Sequence, residues 1–298
     1  MVKIGIGILY SGENEFEACL GALEAQSCPN YSLKVFKGLG NKEAHDALYS
    51  YFMSVSDSHD IFVKLDADMV LRTSEILNEI AELFARENEL DHATFTVFDW
   101  YSQRPIVGLH AFSKRASWKP LKESLFVDHN PTIPGHRIMV WEAPSPVADH
   151  SPDPTAETAY LFGVHRALKI VQRGNGIFRK DQSKIQFEIL RNIWREAKKG
   201  NDPRRCLVIV GAESVFRGIQ IGMDKKAIES TVLEKAKEEC GDLRQFRRKY
   251  RIRWDGLVYY HRYWRYVLRR EKILQGIGRR FLTMPIRAVA KVRSRLAT

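Results

Sequence analysis

The sequence DIFVKLDADM occupies residues 60–69, where an apolar run ends in two carboxylates spaced i, i+2. Short apolar runs are typical of buried strands, so residues 60–65 are predicted to form one. In an open α/β sheet, ligands bind beyond the carboxyl ends of the strands. The segment therefore predicts a strand that delivers Asp66 and Asp68 to a binding site.

The residues before this segment alternate between strand and helix patterns. We predict strands at 3–10 and 31–36, and helices at 14–26 and 42–55. Such alternation indicates a parallel sheet with covering helices.

The pattern changes along the second part of the chain. A helix is predicted at 74–88, followed by strands at 93–99 and 106–113, and then by helices at 158–173, 184–199, 204–217 and 225–240. Residues 118–154 are irregular except for a strand-like stretch at 137–141, and a long loop of this kind often builds a binding site. The second half is therefore expected to be mostly helical.

Composition narrows the class of protein. The 298 residues are 44% hydrophobic and 28% charged, which is ordinary for a folded globular protein. The N-terminal residues are expected to form a strand rather than a signal peptide, and no uncharged apolar run approaches the roughly 18 residues of a membrane span. The four cysteines lack CxxC spacing, so reduced thiols and a cytoplasmic location are expected.

The net charge of +11 is unevenly distributed. Residues 242–298 hold 17 Lys or Arg against 3 acids, whereas residues 1–241 hold 30 against 33. This asymmetry predicts that the basic tail meets a polyanion while the body has a different role.

The two carboxylates suit a divalent cation, since Mg²⁺ is commonly held by one or two carboxylates together with phosphate oxygens. An Asp-x-Asp tripeptide is weak evidence by itself, because Asp also occurs often in turns. Its sequence context raises the specificity. That context comprises LYSGEN at 9–14, QSCPNY at 26–31, NKEAHDAL at 41–48 and DAD at 66–68.

In order and spacing, residues 1–75 resemble the nucleotide-binding half of GT-A glycosyltransferases, particularly those of family 2. The resemblance implies an α/β fold with a Rossmann-like, mixed but mainly parallel sheet flanked by helices. It implies a catalytic domain at 1–241, divided into a nucleotide-sugar half at 1–115 and an acceptor half at 116–241. A basic helical region would follow at 242–298.

The resemblance also implies an activity. A sugar would pass from a UDP- or GDP-sugar to a glycan or lipid-linked acceptor, with Mn²⁺ or Mg²⁺ required, as in polysaccharide biosynthesis. Family members usually carry an acidic residue after the second strand, whereas this chain continues Phe36-Lys37-Gly38. The base of the nucleotide is therefore left open, as are the sugar and the stereochemical outcome.

Particular residues take roles by the same resemblance. The nucleotide-sugar candidates are Tyr10, Ser11, Glu13, Asn41, Lys64 and Asp66. The metal candidates are Asp66 and Asp68, with His150 as the first choice for a further ligand and His165 as the second. Each histidine also has an equally good structural interpretation. In that interpretation, His150 is a loop residue packed against prolines, and His165 is a helix residue hydrogen-bonded in the interior.

An inverting reaction would need a carboxylate near the acceptor hydroxyl to act as general base. The candidates are Asp149, Asp153 and Glu157, with Asp149 slightly preferred.

Within the basic tail, Arg alternates with aromatic residues at 245–270, and residues 263–296 can form a basic amphipathic helix. This predicts peripheral attachment to an anionic membrane at the inner face. The alternative is that the apolar stripe of the tail packs on the catalytic domain.

Two other functions compete. A nucleotidyltransferase would also combine such a fold with acidic metal ligands, but a Gly-rich loop bearing Arg or Lys after the first strand is missing. A non-catalytic nucleic-acid-binding protein would explain the pI of about 9.5. The neutral-to-acidic body argues against it, so no nucleic-acid partner is expected.

Overall fold

The computed structural model describes residues 2–120, 131–141, 145–171, 180–217 and 229–256. The strands are β1 Ile4–Tyr10, β2 Tyr31–Lys37, β3 Ile61–Asp66, β4 Met69–Leu71, β5 Leu90–Asp99, β6 Arg104–Ser113, β7 His136–Trp141 and β8 Ala148–His150. The helices are α1 Phe16–Glu24, α2 Asn41–Ser54, α3 Ile76–Arg86, α4 Ala156–Val171, α5 Lys180–Ala197, α6 Pro203–Phe216, α7 Ser230–Gly241 and α8 Leu243–Trp254. The protein is thus a mixed α/β fold.

The strands form one mixed sheet in the order β2-β1-β3-β6-β5-β8-β4, with β7 also paired to β5. The parallel pairs are β1–β2, β1–β3, β5–β7 and β5–β8. The antiparallel pairs are β3–β6, β5–β6 and β4–β8. The sheet is mixed, as the resemblance implies, and strands β1, β2 and β3 of the first 75 residues pair in parallel as expected. Strand β6 runs antiparallel to both of its neighbours. The reason is local, because β5 and β6 are joined by a short turn, and strands joined in this way pair antiparallel.

Strand β1 alternates isoleucine and glycine, and the alternation explains how helices cover both of its faces. Ile4, Ile6 and Ile8 are buried in a cluster with residues of α1 and α3. On the other face, a Cβ at Gly7 would come within 2.0 Å of Leu48 in α2. The glycine therefore lets α2 approach the sheet closely.

The helical half is organised around α6, whose residues are buried on all sides. Helix α4 crosses it at a point where both backbones nearly touch. A Cβ at Gly163 would lie 1.9 Å from the Val208 carbonyl oxygen, and one at Gly211 would lie 2.2 Å from that of Tyr160. Glycine is required at this crossing because backbone atoms cannot move aside as a flexible side chain can.

Helix α8 belongs to the same packed cluster. Phe246, Tyr250 and Trp254, spaced i, i+4 and i+8, are buried among the helices α4 to α7. For these three aromatic residues, packing on the body replaces the membrane contact considered from the sequence. The amphipathic helix predicted at 263–296 lies outside the described residues.

In the described part of the chain, no helix is both long and apolar enough to cross a membrane.

Candidate active site

A cleft lies between the sheet and helices α2, α4 and α5. It encloses about 1290 Å³ including its open mouth. Nine of the residues singled out from the sequence line it: Tyr10, Ser11, Glu13, Asn41, Lys64, Asp66, Asp68, His150 and His165. The structure therefore gathers the predicted nucleotide and metal residues around one cavity, although their roles stay predictions.

The topology brings Asp68 and His150 together. The chain leaves the middle of the sheet at Asp66 and re-enters it at Met69, which pairs with His150 of β8. Ser151 then donates its backbone N–H to the Asp68 carbonyl at 2.7 Å and its hydroxyl to Asp68 Oδ2, also at 2.7 Å. Ser151 has a positive φ of 49°, a conformation that costs a non-glycine residue about 1–3 kcal/mol. The bonds to Asp68 offset this strain.

His150 lies between two carboxylates. Its Nδ1 is 2.9 Å from Asp99 Oδ1, and its Nε2 is 3.4 Å from Asp68 Oδ2. Burial lowers the pKa of His150, but the charges of Asp68 and Asp99 outweigh that effect and raise the pKa above its usual value. The space between His150 and Asp68 therefore favours a cation.

One oxygen of Asp68 has no donor among the described residues. Asp68 Oδ1 is buried and accepts no hydrogen bond from the described residues. Buried carboxylate oxygens are normally paired, so this one fits a metal ligand. No three His, Cys, Asp or Glu side chains of the described residues are close enough to hold an ion by themselves. A pair such as Asp68 and His150 still suits an ion that takes its other ligands from a bound phosphate.

Asp66 has a different environment, although it is only two residues away. Its Oδ1 is 3.1 Å from the Nζ of Lys64, which is almost fully buried. Asp66 is half-exposed to the cleft. Lys64 and Asp66 thus place a fixed charge pair beside Asp68.

Helix α4 supplies the facing wall with His165, Arg166 and Lys169. The Arg166 guanidinium lies 4.5 Å from the centre of the Phe162 ring and donates to Gln186 Oε1 at 2.9 Å. Packing of this kind holds the cation in place before a ligand arrives. Arg166 and Lys169 give this wall a positive character, which the sequence patterns did not single out.

The predicted general-base candidates lie away from the cleft lining. Asp149 pairs with Arg72 at 2.6 Å, since alternate residues of β8 point to opposite faces of the sheet. Asp153 pairs with Arg204 at 2.9 Å and accepts a hydrogen bond from Asn14 at 3.1 Å. Glu157 is half-buried in the first turn of α4.

Glu15, which the sequence patterns also passed over, lies near the Asp68 carboxylate. It is 4% exposed, and its Oε1 accepts the backbone N–H of Asp153 at 3.1 Å. Burial, together with the charge of Asp68, raises its pKa to about 7. Asp99 was missed in the same way, although its position at the carboxyl end of β5 was a usable signal.

Comparisons with known proteins identify no family. No family model and no curated protein matches the chain. The solved structures that it matches include a cytidylyltransferase from Leptospira borgpetersenii serovar Hardjo-bovis (strain JB197), with 18% identity and a TM-score of 0.27 over 38% of this chain and 61% of that one. A second is A197 from STIV, with 11% identity and a TM-score of 0.30 over 38% of this chain and 65% of that one. The chain thus spans less than two thirds of the length of either structure, and likeness at this level assigns no activity.

Proposed function

We propose that the protein is a metal-dependent glycosyltransferase of the GT-A type, which transfers a sugar from a nucleotide-sugar to a glycan or lipid-linked acceptor. The observation that carries this proposal is the buried Asp68 Oδ1, which lacks a donor among the described residues and lies beside His150 at the floor of the cleft. Asp68 and His150 would hold Mn²⁺ or Mg²⁺, and Asp66 would complete the acidic edge. The ion would supply charge neutralisation for the departing diphosphate.

The charges around the cleft support a phosphate-bearing ligand. Lys64, Arg166 and Lys169 all line it, and cations held in a partly dehydrated cleft bind phosphates well. Helix α2 begins at Asn41 with no side-chain cap and opens onto the same cavity. The N-terminus of a helix favours negative charge. These groups would bind and orient the diphosphate of the donor.

Thermal-shift measurements test this proposal directly. The protein is heated with UDP, GDP, UDP-glucose or GDP-mannose, each with and without Mn²⁺. A ligand at a hundredfold excess over its Kd stabilises a protein by about 2.7 kcal/mol, a shift of several degrees. We expect a shift that requires both the nucleotide and Mn²⁺, and that disappears in Asp68→Ala.

The matched control is Asp60→Ala, since Asp60 lies at the other end of the same strand and pairs with Lys114 on the surface. This variant should respond to nucleotide as the wild type does. A wild-type protein that ignores every nucleoside diphosphate and nucleotide-sugar would refute the proposal. A response confined to nucleoside triphosphates would instead identify a nucleotidyltransferase.

The basic tail supports a location at a membrane surface. Residues 257–298 contain 11 Lys or Arg against a single acid, and each cation near an anionic surface contributes on the order of 1 kcal/mol. We propose peripheral attachment at the inner membrane face, which would bring a lipid-linked acceptor within reach.

Flotation with phosphatidylglycerol vesicles compares the full chain with a form that ends at residue 256. The shortened form keeps α8, whose aromatic residues are buried in the body. The full chain should float and the shortened form should stay at the bottom. Equal partitioning of both would exclude attachment through the tail.

A further inference from the structure

We propose that Asp99 is a positioning residue that fixes the proton of His150 on Nδ1 and so directs the Nε2 lone pair at the space beside Asp68. The inference rests on the proposed metal site. It adds a residue that neither the sequence patterns nor the resemblance assigned.

Asp99 is placed by strand pairing. Strands β5 and β8 run parallel, with Asp99 opposite His150, so both side chains project from the same end of the sheet. Asp99 is fully buried, and its Oδ2 accepts the backbone N–H of Ser102 at 2.7 Å. This bond leaves Oδ1 to face His150 Nδ1 at 2.9 Å. The carboxylate therefore cannot rotate without losing a buried hydrogen bond.

The contact determines the tautomer. An ionised carboxylate only accepts hydrogen bonds. Of the two carboxylates beside His150, Asp99 makes the hydrogen bond at 2.9 Å and Asp68 lies farther away at 3.4 Å, so Nδ1 is the donor in the neutral ring. In a neutral imidazole the second nitrogen then carries a lone pair. At His150 that nitrogen is Nε2, which lies 3.4 Å from Asp68 Oδ2. A lone pair facing a carboxylate oxygen is favourable only with a cation between or beside them, and metal-bound histidines are commonly oriented by such a partner.

Replacing Asp99 by Asn should reverse this arrangement without changing the size of the side chain. The Ser102 N–H still requires an acceptor, so the amide oxygen of the new residue turns toward it. The amide NH₂ then faces His150 Nδ1 and donates to it. The imidazole proton moves to Nε2, where it blocks metal binding.

Two measurements test the inference. Two-bond ¹H–¹⁵N correlation spectra of ¹⁵N-histidine-labelled protein at pH 9 report the tautomer of each ring, with His150→Gln identifying the signal. We expect the Nδ1–H form in the wild type and the Nε2–H form in Asp99→Asn. Titration with Mn²⁺, followed by electron paramagnetic resonance, should show an affinity 10-fold to 100-fold lower in Asp99→Asn, as for other partners of metal ligands.

Asp91→Asn is the matched control. Asp91 lies near the start of β5, is fully buried, and accepts hydrogen bonds from Ser113 and Arg115. It should keep the His150 tautomer and the Mn²⁺ affinity even if its stability falls. A folded Asp99→Asn protein with the wild-type tautomer or unchanged Mn²⁺ affinity would overturn the inference. A wild-type protein that binds no Mn²⁺ but shows the tautomer switch would instead refute the metal site while keeping the role of Asp99.

Discussion

Two carboxylates, the buried one of Glu213 and the half-buried one of Asp68, show how the sheet and the helical half differ. In the helical half, Glu213 Oε1 accepts from Trp254 Nε1 at 3.0 Å, and Oε2 accepts from Arg253 at 2.6 Å and Arg217 at 3.3 Å. At the sheet edge, Asp68 Oδ2 accepts from Ser151, while Asp68 Oδ1 has no donor among the described residues. Within the described residues, both oxygens of Glu213 accept hydrogen bonds, whereas only one oxygen of Asp68 does.

The difference distinguishes a structural acid from a functional one. Among the described residues, the partners of Glu213 come from α6, the residue that follows it and α8, so the carboxylate joins two helices. Asp68 instead lines an open cleft near a buried acid, Glu15. A buried charged atom without a partner reduces stability. Such an atom is retained where a bound ligand supplies the missing interaction.

The largest effect is expected for Glu213→Ala. Removing one partner of a buried ion pair costs about 3–5 kcal/mol, because the remaining charges lose their acceptor. Here Arg253 and the indole N–H of Trp254 would be left without Glu213. Chemical denaturation should show this loss in the free energy of unfolding, while Mn²⁺-dependent nucleotide binding persists in the folded fraction. A Glu213→Ala protein of wild-type stability would show that the helices do not depend on this acid.

Glu15→Gln should change how stability depends on pH. Because burial and Asp68 raise the pKa of Glu15 in the folded protein to about 7, and the unfolded value is about 4.3, the folded state binds the proton more tightly. Stability from this group is present at pH 4 and is lost as the pH rises to about 7. The loss should be about 1–3 kcal/mol, and Gln, which stays neutral, should abolish it. Unfolding curves of the metal-free wild type and Glu15→Gln at pH 5 and pH 8 measure the loss of stability in each protein. Equal losses in the two proteins would contradict a raised pKa of Glu15.

Asp68→Asn should stabilise the metal-free protein at pH 8 by about 1–2 kcal/mol. The substitution removes the repulsion between Asp68 and Glu15 and the charge on the unsatisfied Oδ1, and an unsatisfied buried group costs about this much. It also removes the attraction to His150, which is weaker at pH 8 than at the lower pH where a histidine is usually charged. The same variant should lose the stabilisation that the wild type gains from Mn²⁺ and nucleotide. A higher stability without ligand, together with a loss of stabilisation by Mn²⁺ and nucleotide, would show that Asp68 serves ligand binding rather than folding. A loss of stability without ligand would place Asp68 in the same class as Glu213.

The sequence was informative where structure is local. The strand that ends at Asp66 and most of the helices were predicted to within a few residues, because apolar periodicity and capping residues act over short distances. Strands β4 and β8 were missed, since three-residue strands carry almost no periodic signal. A mixed sheet was expected from the resemblance, but the position of β6 between β3 and β5 was not predicted, because strand patterns do not encode the order of the strands.

The contacts that define the site are mostly non-local. Asp99 and His150 are 51 residues apart, and Ser151 and Asp68 are 83 apart. Their proximity depends on how β5, β8 and β4 pair, and no motif records that pairing. In helix α8, by contrast, the relevant pattern is local and present in the sequence. The i, i+4, i+8 spacing of Phe246, Tyr250 and Trp254 is typical of a buried helix face, but the arginines between them led to a prediction of membrane contact.

The smallest expected effect is that of Ser151→Ala, which removes the hydroxyl donor to Asp68 Oδ2 and keeps the backbone bond. Loss of a hydrogen bond to a charged group costs about 1.5–3 kcal/mol, but an acid with one oxygen already unpaired is free to shift toward solvent in the cleft. We therefore expect a loss near 1 kcal/mol without Mn²⁺ and a smaller one with saturating Mn²⁺, because a bound cation would hold the same carboxylate. Calorimetric unfolding with and without Mn²⁺ measures both values. An equal loss in the two conditions would mean that Ser151 and the cation do not act on the same carboxylate, and that Asp68 owes its position to the fold alone.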